Sequence, residues 1–140
     1  VGGQALANAY SQVIGDVFTR ELKPLELEII VAEVGDDRWD DHQGSHLYRV
    51  TFDGFISDHR QFCVIGGNVG EVEGIMSNEY QAGMQAAELL RLGVRALEGG
   101  TDSTSGLNET SLEVSTLERA KPGRKFERLT AEQVQSMLTG

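Results

Sequence analysis

The sequence is poor in several residue types, and each shortage excludes a class of protein. Cys63 is the single cysteine among 140 residues. It excludes an internal disulfide framework and a metal site built from several cysteines, and it fits a reducing compartment. Every apolar run is shorter than the roughly 20 residues that a transmembrane helix needs. Basic residues number 12 against 22 acidic ones, giving a formal net charge of −10. A general nucleic-acid-binding protein, or one that binds anionic membranes, would carry a basic stripe. Neither class of protein is therefore expected.

The remaining composition is that of a folded domain. Hydrophobic residues make up 39% of the chain and charged residues 24%. These fractions are typical of globular proteins rather than disordered ones, and 140 residues suffice for one core.

Hydrophobic periodicity predicts the order helix, four strands, two helices, one or two strands, helix. The opening helix carries its apolar residues at helical spacing, with Pro24 as the stop: Leu6, Tyr10, Ile14, Val17 and Phe18. Gly15 within this helix is unfavourable by itself and is expected to mark close packing. Strands are predicted over 25–32, 47–52, 55–57 and 62–65. Asp53-Gly54 predicts a two-residue hairpin turn in which both residues have positive φ.

The second half of the chain alternates helices with short strands. Two helices are predicted to place on their inner faces Val69, Val72, Met76 and Tyr80, and then Met84, Ala87, Leu90, Val94 and Leu97. Strands are expected over 112–117 and 126–129. Gly99-Gly100 is predicted to end the second helix as a C-cap, and Thr130 and Gln133 form a capping box that opens a last helix. Antiparallel strands with paired helices indicate a layered α+β sandwich rather than an alternating βαβ fold.

Several of these segments, in this order and spacing, resemble the α subunit of the actinobacterial 20S proteasome. The matching segments are Leu6 to Gln12, Lys23 to Ile29, Ala32 to Val34, Leu47 to Gly54, Phe62 to Gly67 and Ser111 to Val114. The string Tyr-Arg-Val-Thr-Phe-Asp-Gly at 48–54 is the most specific of them.

The resemblance implies a fold and a function. Proteasome subunits are four-layer αββα sandwiches of the N-terminal-nucleophile hydrolase fold, with two antiparallel sheets between helix layers. The family's first strands, N-terminal helix and gate-forming tail precede the helix that opens this chain. Residues 1–140 are therefore expected to form a single, incomplete domain, the later part of a subunit.

As an α subunit, the protein is expected to be non-catalytic. In the family, seven α subunits form each outer ring in the cytoplasm. They dock onto β rings, restrict the entry of protein substrates, and present a surface to ring-shaped ATPases or other activators. The resemblance implies no cofactor, no metal, and no nucleic-acid or membrane partner.

A catalytic alternative stays open. Proteasome β subunits use an N-terminal threonine whose own amine acts as base, whereas position 1 here is Val. Thr101 follows Gly100, but a cut there would discard the sheet. Asp102 and Ser105 match by spacing the acidic-serine loop that supports the β-subunit threonine. A polar turn in which both side chains bond their own backbone explains the same residues.

The other polar clusters favour structural interpretations. The acidic loop at 36–42 lacks the alternating acids and sixth-position glycine of a calcium loop, so a solvated loop is expected. His42, His46 and His59 lack the spacing of a zinc pair and are expected to be surface residues. Residues 66–70 lack the P-loop lysine and predict a tight strand-to-helix turn. Cys63 is expected to pack as a small hydrophobe. We therefore expect no catalytic, cofactor-binding or metal-ligating residue.

Overall fold

The computed structural model describes residues 2–20, 27–35, 45–101 and 106–140. Its helices and strands are α1 (Gly3–Arg20), β1 (Ile29–Glu33), β2 (His46–Val50), β3 (Ile56–His59), α2 (Val69–Glu79), α3 (Ala86–Gly99), β4 (Ser115–Leu117), β5 (Phe126–Arg128) and α4 (Ala131–Thr139). The chain forms two compact units, Val1–Ile65 and Gly66–Gly140. The prediction of one incomplete domain stays a prediction.

The first unit is an antiparallel meander with a helix on one face. Its strand order is β1-β2-β3, and Val31 pairs with Tyr48 while Val50 pairs with Ile56. Side chains alternate between the two faces of a strand, so Val31, Tyr48 and Val50 point to the same side. They form a buried core with Ala7 and Ile14 of α1. This confirms the predicted antiparallel α+β class.

Helix α1 approaches the sheet through small residues rather than large ones. Gly3 and Ala7 are buried, and Ser11 and Gly15 are half-buried. A Cβ atom on Gly15 would lie 3.7 Å from the carbonyl oxygen of Asp53, so the predicted close packing at Gly15 is confirmed. The predicted inner face is wrong in part, because only Ile14 of its five residues is buried. Apolar periodicity misjudged the face because glycine, alanine and serine line it.

The turn between β2 and β3 has three residues instead of two. Thr51 N–H donates to the Phe55 carbonyl at 3.0 Å, and Gly54 N–H donates to the Thr51 carbonyl at 2.9 Å. Gly54 has φ +84°, whereas Asp53 does not have a positive φ. A turn followed by one left-handed residue is the usual three-residue hairpin connection, so the two-residue prediction is wrong.

Asp53 organises this turn through its side chain. The carboxylate accepts hydrogen bonds from the Thr51 hydroxyl and, at 3.2 Å, from the Phe55 N–H. The Thr51 hydrogen bond and then the Phe55 hydrogen bond hold the pKa of Asp53 below its usual value. Hydrogen bonds to the Asp53 carboxylate therefore stabilise this turn, whereas the sequence predicted a positive φ at Asp53.

The second unit pairs helices and carries a separate two-stranded sheet. Helix α2 buries Val72 and Met76 as predicted, whereas α3 buries Leu92, Val94 and Ala96. Only Val94 of that set was predicted, and the predicted Leu97 is 44% exposed. Strands β4 and β5 pair antiparallel.

The two helix ends predicted for this unit are confirmed. Gly100 caps the C-terminal end of α3. The capping box at Thr130 and Gln133 opens α4 with both reciprocal hydrogen bonds. Both signals depend on a few neighbouring residues and need no information about packing.

One predicted strand is absent from the part of the chain that the structure describes. Residues 62–65 are half-buried but do not form a strand. An apolar run without alternation indicates burial but does not specify a pairing partner. His59 lies just before this run, as the last residue of β3.

Replacing Gly54 by alanine should make the pairing of β2 with β3 less stable. The new Cβ would lie 2.9 Å from the Ser11 carbonyl oxygen and 3.0 Å from the Gly15 Cα, at a φ that disfavours L-residues. We expect a loss of about 2–4 kcal/mol, measured as the opening free energy from amide hydrogen exchange of β2 and β3.

Gly123→Ala is the matched control for this substitution. Gly123 has φ +73°, but a Cβ there would meet no described atom within 4 Å. Gly123→Ala should therefore lower the opening free energy of β4 and β5 only by the conformational cost of a positive φ, about 1 kcal/mol, as measured by hydrogen exchange. Equal losses at the two glycines would show that the close approach of α1 adds nothing.

Candidate docking surface

Large apolar side chains of α1 lie beside the sheet and form a partly exposed surface stripe. We define the outer stripe as Leu6, Tyr10, Val13 and Val17, which recur at the three- and four-residue spacing of one helix face. Leu6, Tyr10 and Val13 are 43%, 47% and 59% exposed. Isolated exposed hydrophobic residues are common, but a continuous row is typical of a docking surface.

A groove of about 400 Å³ continues the outer stripe onto the sheet. Leu6 and Tyr10 form its helix side, and residues 29–32 of β1 form the other side. Strand β1 lies at an edge of the three-stranded sheet. An apolar groove beside a strand edge can accept either side chains or a further strand.

The start of α1 is fixed by an acid from β1. A carboxylate oxygen of Glu33 accepts a hydrogen bond from the Gly3 N–H at 2.5 Å. Helix N-termini carry unpaired N–H groups and a partial positive charge, so a carboxylate stabilises this end. Glu33 thereby sets the position of the outer stripe relative to the sheet. Sequence reasoning missed this role because Glu33 is 30 residues away along the chain.

His46 is more buried than predicted. It opens β2, and its ring stacks on Tyr48 with 5.5 Å between ring centroids. Its Nδ1 lies 3.4 Å from Oδ2 of Asp58, but it makes no hydrogen bond with a described residue. Burial, and then the nearby Asp58 and Glu33 carboxylates, raise the pKa of Tyr48, so the phenol stays neutral. The side chain of His46 is 18% exposed, so it is not the expected surface histidine.

His59 has a different partner on β3. Its Nε2 lies 2.9 Å from the Ser57 hydroxyl oxygen. The two residues are two positions apart and therefore share one face of the strand. A serine and a histidine in contact could in principle act as nucleophile and base, but such chemistry also needs groups that stabilise an oxyanion. We assign this pair a structural role.

The residues considered for catalysis are only partly described. Thr101 directly follows α3, and both its hydroxyl and its backbone N–H donate to the Glu98 carbonyl, at 3.2 and 3.3 Å. Its nitrogen is thus a peptide amide, whereas an N-terminal threonine nucleophile needs a free amine. Asp102 and Ser105 lie outside the described residues.

The glycine-rich turn at 66–70 leads into α2 as predicted, although the residues before it do not form the expected strand. Gly66 and Gly67 both have positive φ, and the helix begins at Val69. Glu71 lies in the first turn and accepts a hydrogen bond from the Asn68 side chain at 2.8 Å. A carboxylate in this position repels a phosphate, so the helix start is unsuited to anion binding.

The remaining candidates are described only in part. The acidic loop at 36–42, including His42, lies outside the described residues. Within the four described ranges, acidic, histidine and cysteine side chains do not form a metal-sized group of three or more. Cys63 is half-buried. Among the same residues, we find no helix with the length and hydropathy needed to cross a bilayer.

Comparison with known proteins decides the family. A family model for proteasome subunits matches residues 3–117, which cover all but the first two residues of the first unit and most of the second. The chain belongs to the proteasome subunit family. This membership confirms the α+β fold class of N-terminal-nucleophile hydrolases that the sequence predicted.

The relatives within this family are α subunits from actinobacteria. The chain is 41% identical to proteasome subunit alpha of Saccharopolyspora erythraea over 99% of its residues and 52% of that protein. Identity to the Thermobifida fusca subunit is 43% over 99% of the chain and 54% of that protein. Identity to the Nocardia farcinica subunit is 40% over 100% of the chain and 55% of that protein. The chain thus spans about half the length of the curated relatives it matches.

Removing the acceptor at the start of α1 should loosen this helix. Glu33→Ala leaves the Gly3 N–H without its carboxylate partner, and we expect a loss of about 1 kcal/mol in the free energy of unfolding. Glu33→Gln keeps a side-chain oxygen and should lose less. The measurement is urea denaturation together with hydrogen exchange at the Gly3 amide.

Glu113→Gln serves as the control for the loss of charge. Glu113 is 83% exposed and forms a surface ion pair with Arg128. Its replacement should change the free energy of unfolding by less than about 0.5 kcal/mol. An unchanged Gly3 exchange rate in Glu33→Ala would contradict the capping role.

Proposed function

We propose that this chain is part of a non-catalytic α-ring subunit of a bacterial 20S proteasome core particle. The observation that carries the proposal is its roughly 40% identity, along nearly the whole chain, to α subunits of several actinobacteria. The partners proposed from the family are neighbouring α subunits in a heptameric ring and β subunits beneath it. The site of action is the cytoplasm, and the process is protein degradation.

The outer stripe supports a role in assembly. A ring subunit must bury apolar surface against its neighbours, and obligate interfaces are more hydrophobic than the rest of a protein surface. Leu6, Tyr10 and Val13 provide such a surface on α1. We propose that α1 faces the β ring, with Val13, Val17 and Arg20 at the edge of the contact.

The remaining roles are drawn from the family. They are gating of substrate entry and docking of a ring-shaped ATPase or another activator. In the family, these roles belong to a gate-forming tail and an activator pocket, and the resemblance maps neither onto residues of this sequence. We therefore assign neither role to a residue of the chain.

A catalytic β-type subunit is the alternative. Its threonine nucleophile would have to lie outside this sequence, with Asp102 and Ser105 as supporting residues. Since the relatives described above are α subunits, an α subunit is the better supported of the two interpretations. The two readings differ in what happens to peptidase activity when the supporting pair is removed.

A charge on the outer stripe should disrupt stacking of the rings. Val13→Asp places a carboxylate on the most exposed residue of the stripe, and burying it against a β subunit would be costly. In the intact subunit, we expect loss of most full core particles, measured by native gel electrophoresis and electron microscopy after assembly with β subunits.

Gln12→Asp is the matched control, since Gln12 is exposed on α1 but lies off the stripe. It adds the same charge and should assemble normally. Arg20→Glu tests the edge of the same contact and should weaken stacking. Normal stacking in both Val13→Asp and Arg20→Glu would count against the placement of α1 at the β ring.

Removing the serine and acid of the 102–105 loop should leave peptide hydrolysis unchanged. Asp102→Asn with Ser105→Ala is expected to alter turnover by less than about twofold in cores built from mutant α and wild-type β subunits. Loss of a member of a true catalytic unit lowers turnover by roughly a hundredfold or more. A loss of that size with intact rings would overturn the non-catalytic reading and favour the β-type hydrolase.

A further inference from the structure

The β4–β5 hairpin gathers positive charge in an acidic protein. Residues 118–128 contain five of the 12 basic residues and only two acidic ones, a net charge of +3. The remaining 129 residues carry seven basic and 20 acidic side chains, a net charge of −13. The overall charge of −10 therefore hides a local basic region, which composition alone did not reveal. We call residues 118–128 the basic hairpin.

Hydrogen bonds order the tip of the basic hairpin. The Lys125 ammonium donates to the carbonyl oxygens of Arg119 and Lys121, at 2.5 and 3.0 Å. The Glu118 N–H donates to the Lys125 carbonyl at 3.2 Å, next to the paired residues Leu117 and Phe126. One cation is thus used to close the turn, and the others are displayed on an ordered scaffold.

One face of the basic hairpin combines cations with apolar side chains. Arg124 lies over the Phe126 ring, with 5.7 Å between the guanidinium carbon and the ring centroid. Phe126 is 45% exposed and its cross-strand neighbour Leu117 is 37% exposed. Arg128 lies two residues beyond Phe126 and so on the same face, with its side chain 65% exposed. Arginine and aromatic residues are the side chains most enriched in protein interfaces.

The ion pairs on the hairpin do not prevent binding. Lys121 pairs with Glu127 at 3.3 Å and Arg128 with Glu113 at 2.8 Å. All four side chains are at least 40% exposed, and exposed pairs of this kind contribute little to stability. A partner carboxylate that also loses water on binding can therefore replace the intramolecular one at small cost.

We propose that the basic hairpin is a docking surface for a short acidic segment of another protein, one that carries an apolar side chain among its carboxylates. The carboxylates would pair with Arg124 and Arg128, and the apolar side chain would pack on Phe126 and Leu117. This inference depends on charge and exposure in the second unit and does not rest on the proposed proteasome role.

Charge also explains why a protein segment is favoured over a nucleic acid. Fields are screened over about 8 Å at physiological salt, so a short acidic segment interacts mainly with the local charge of +3. A long polyanion would extend beyond this range and meet a protein surface whose net charge is strongly negative. The interspersed Glu118 and Glu127 further break the row of cations that a phosphate backbone needs.

The test measures binding of a labelled peptide of alternating glutamate and leucine to the 140-residue chain by fluorescence anisotropy at two salt concentrations. Arg124→Gln combined with Arg128→Gln should weaken binding about tenfold, since two charge-assisted contacts are lost. Arg95→Gln is the control, because it removes an exposed arginine that also pairs with a glutamate but lies on α3. This variant should weaken binding of the peptide less than twofold.

Two further variants test the charge and the apolar contact separately, and hydrogen exchange tests whether each variant is folded. Arg124→Lys keeps the charge and should retain most of the affinity. Phe126→Ala tests the apolar contact and should weaken the glutamate–leucine peptide more than an all-glutamate peptide. Hydrogen exchange of β4 and β5 identifies any variant that unfolds the hairpin.

Three results would overturn the proposal. The first is an equal loss of affinity in Arg95→Gln and in the double variant. The second is peptide affinity that does not fall at higher salt. The third is tighter binding of a thymidine decanucleotide than of the peptide, which would make the surface a nucleic-acid site instead.

Discussion

The first unit depends on how closely the backbone of α1 approaches the turn between β2 and β3. Ser11 donates its hydroxyl to the Gly54 carbonyl, and Gly15 leaves room for the turn beside the helix. Gly54 satisfies two requirements at once, because it has a positive φ and no side chain where the helix passes. With larger residues at these positions, the helix would be displaced outward and Ile14 would lose its place in the core.

The same arrangement determines which side chains remain on the surface. A helix that presents its smallest residues to the sheet must direct its largest apolar residues elsewhere. Tyr10 and Val13 are exposed for this reason, not because the core lacks room for them. Charge is divided unevenly along the chain as well, since residues 118–128 carry a net charge of +3 and the remaining 129 residues a net charge of −13.

Sequence reasoning succeeded where the signal is local and failed where packing decides. The capping box at Thr130 and the stop at Gly100 depend on a few neighbouring residues, and both were predicted. The inner face of α1 was misjudged because apolar periodicity gives no weight to glycine or serine. The 62–65 strand failed because burial does not specify a pairing partner. For the candidate surface, the sequence predicted which residue types are present but not how they are arranged. The contact of Glu33 with Gly3, for example, joins segments 30 residues apart.

Glu33 has a consequence for folding as well as for the final structure. It pairs with His46 across β1 and β2, and in this register its side chain points to the face that carries α1. A shift of one residue would turn Glu33 to the opposite face of the sheet, since strand side chains alternate. The Gly3 N–H would then lose its carboxylate acceptor. The start of α1 is thus energetically coupled to the alignment of β1 with β2, and a shifted register loses this hydrogen bond as well as the buried face of the sheet.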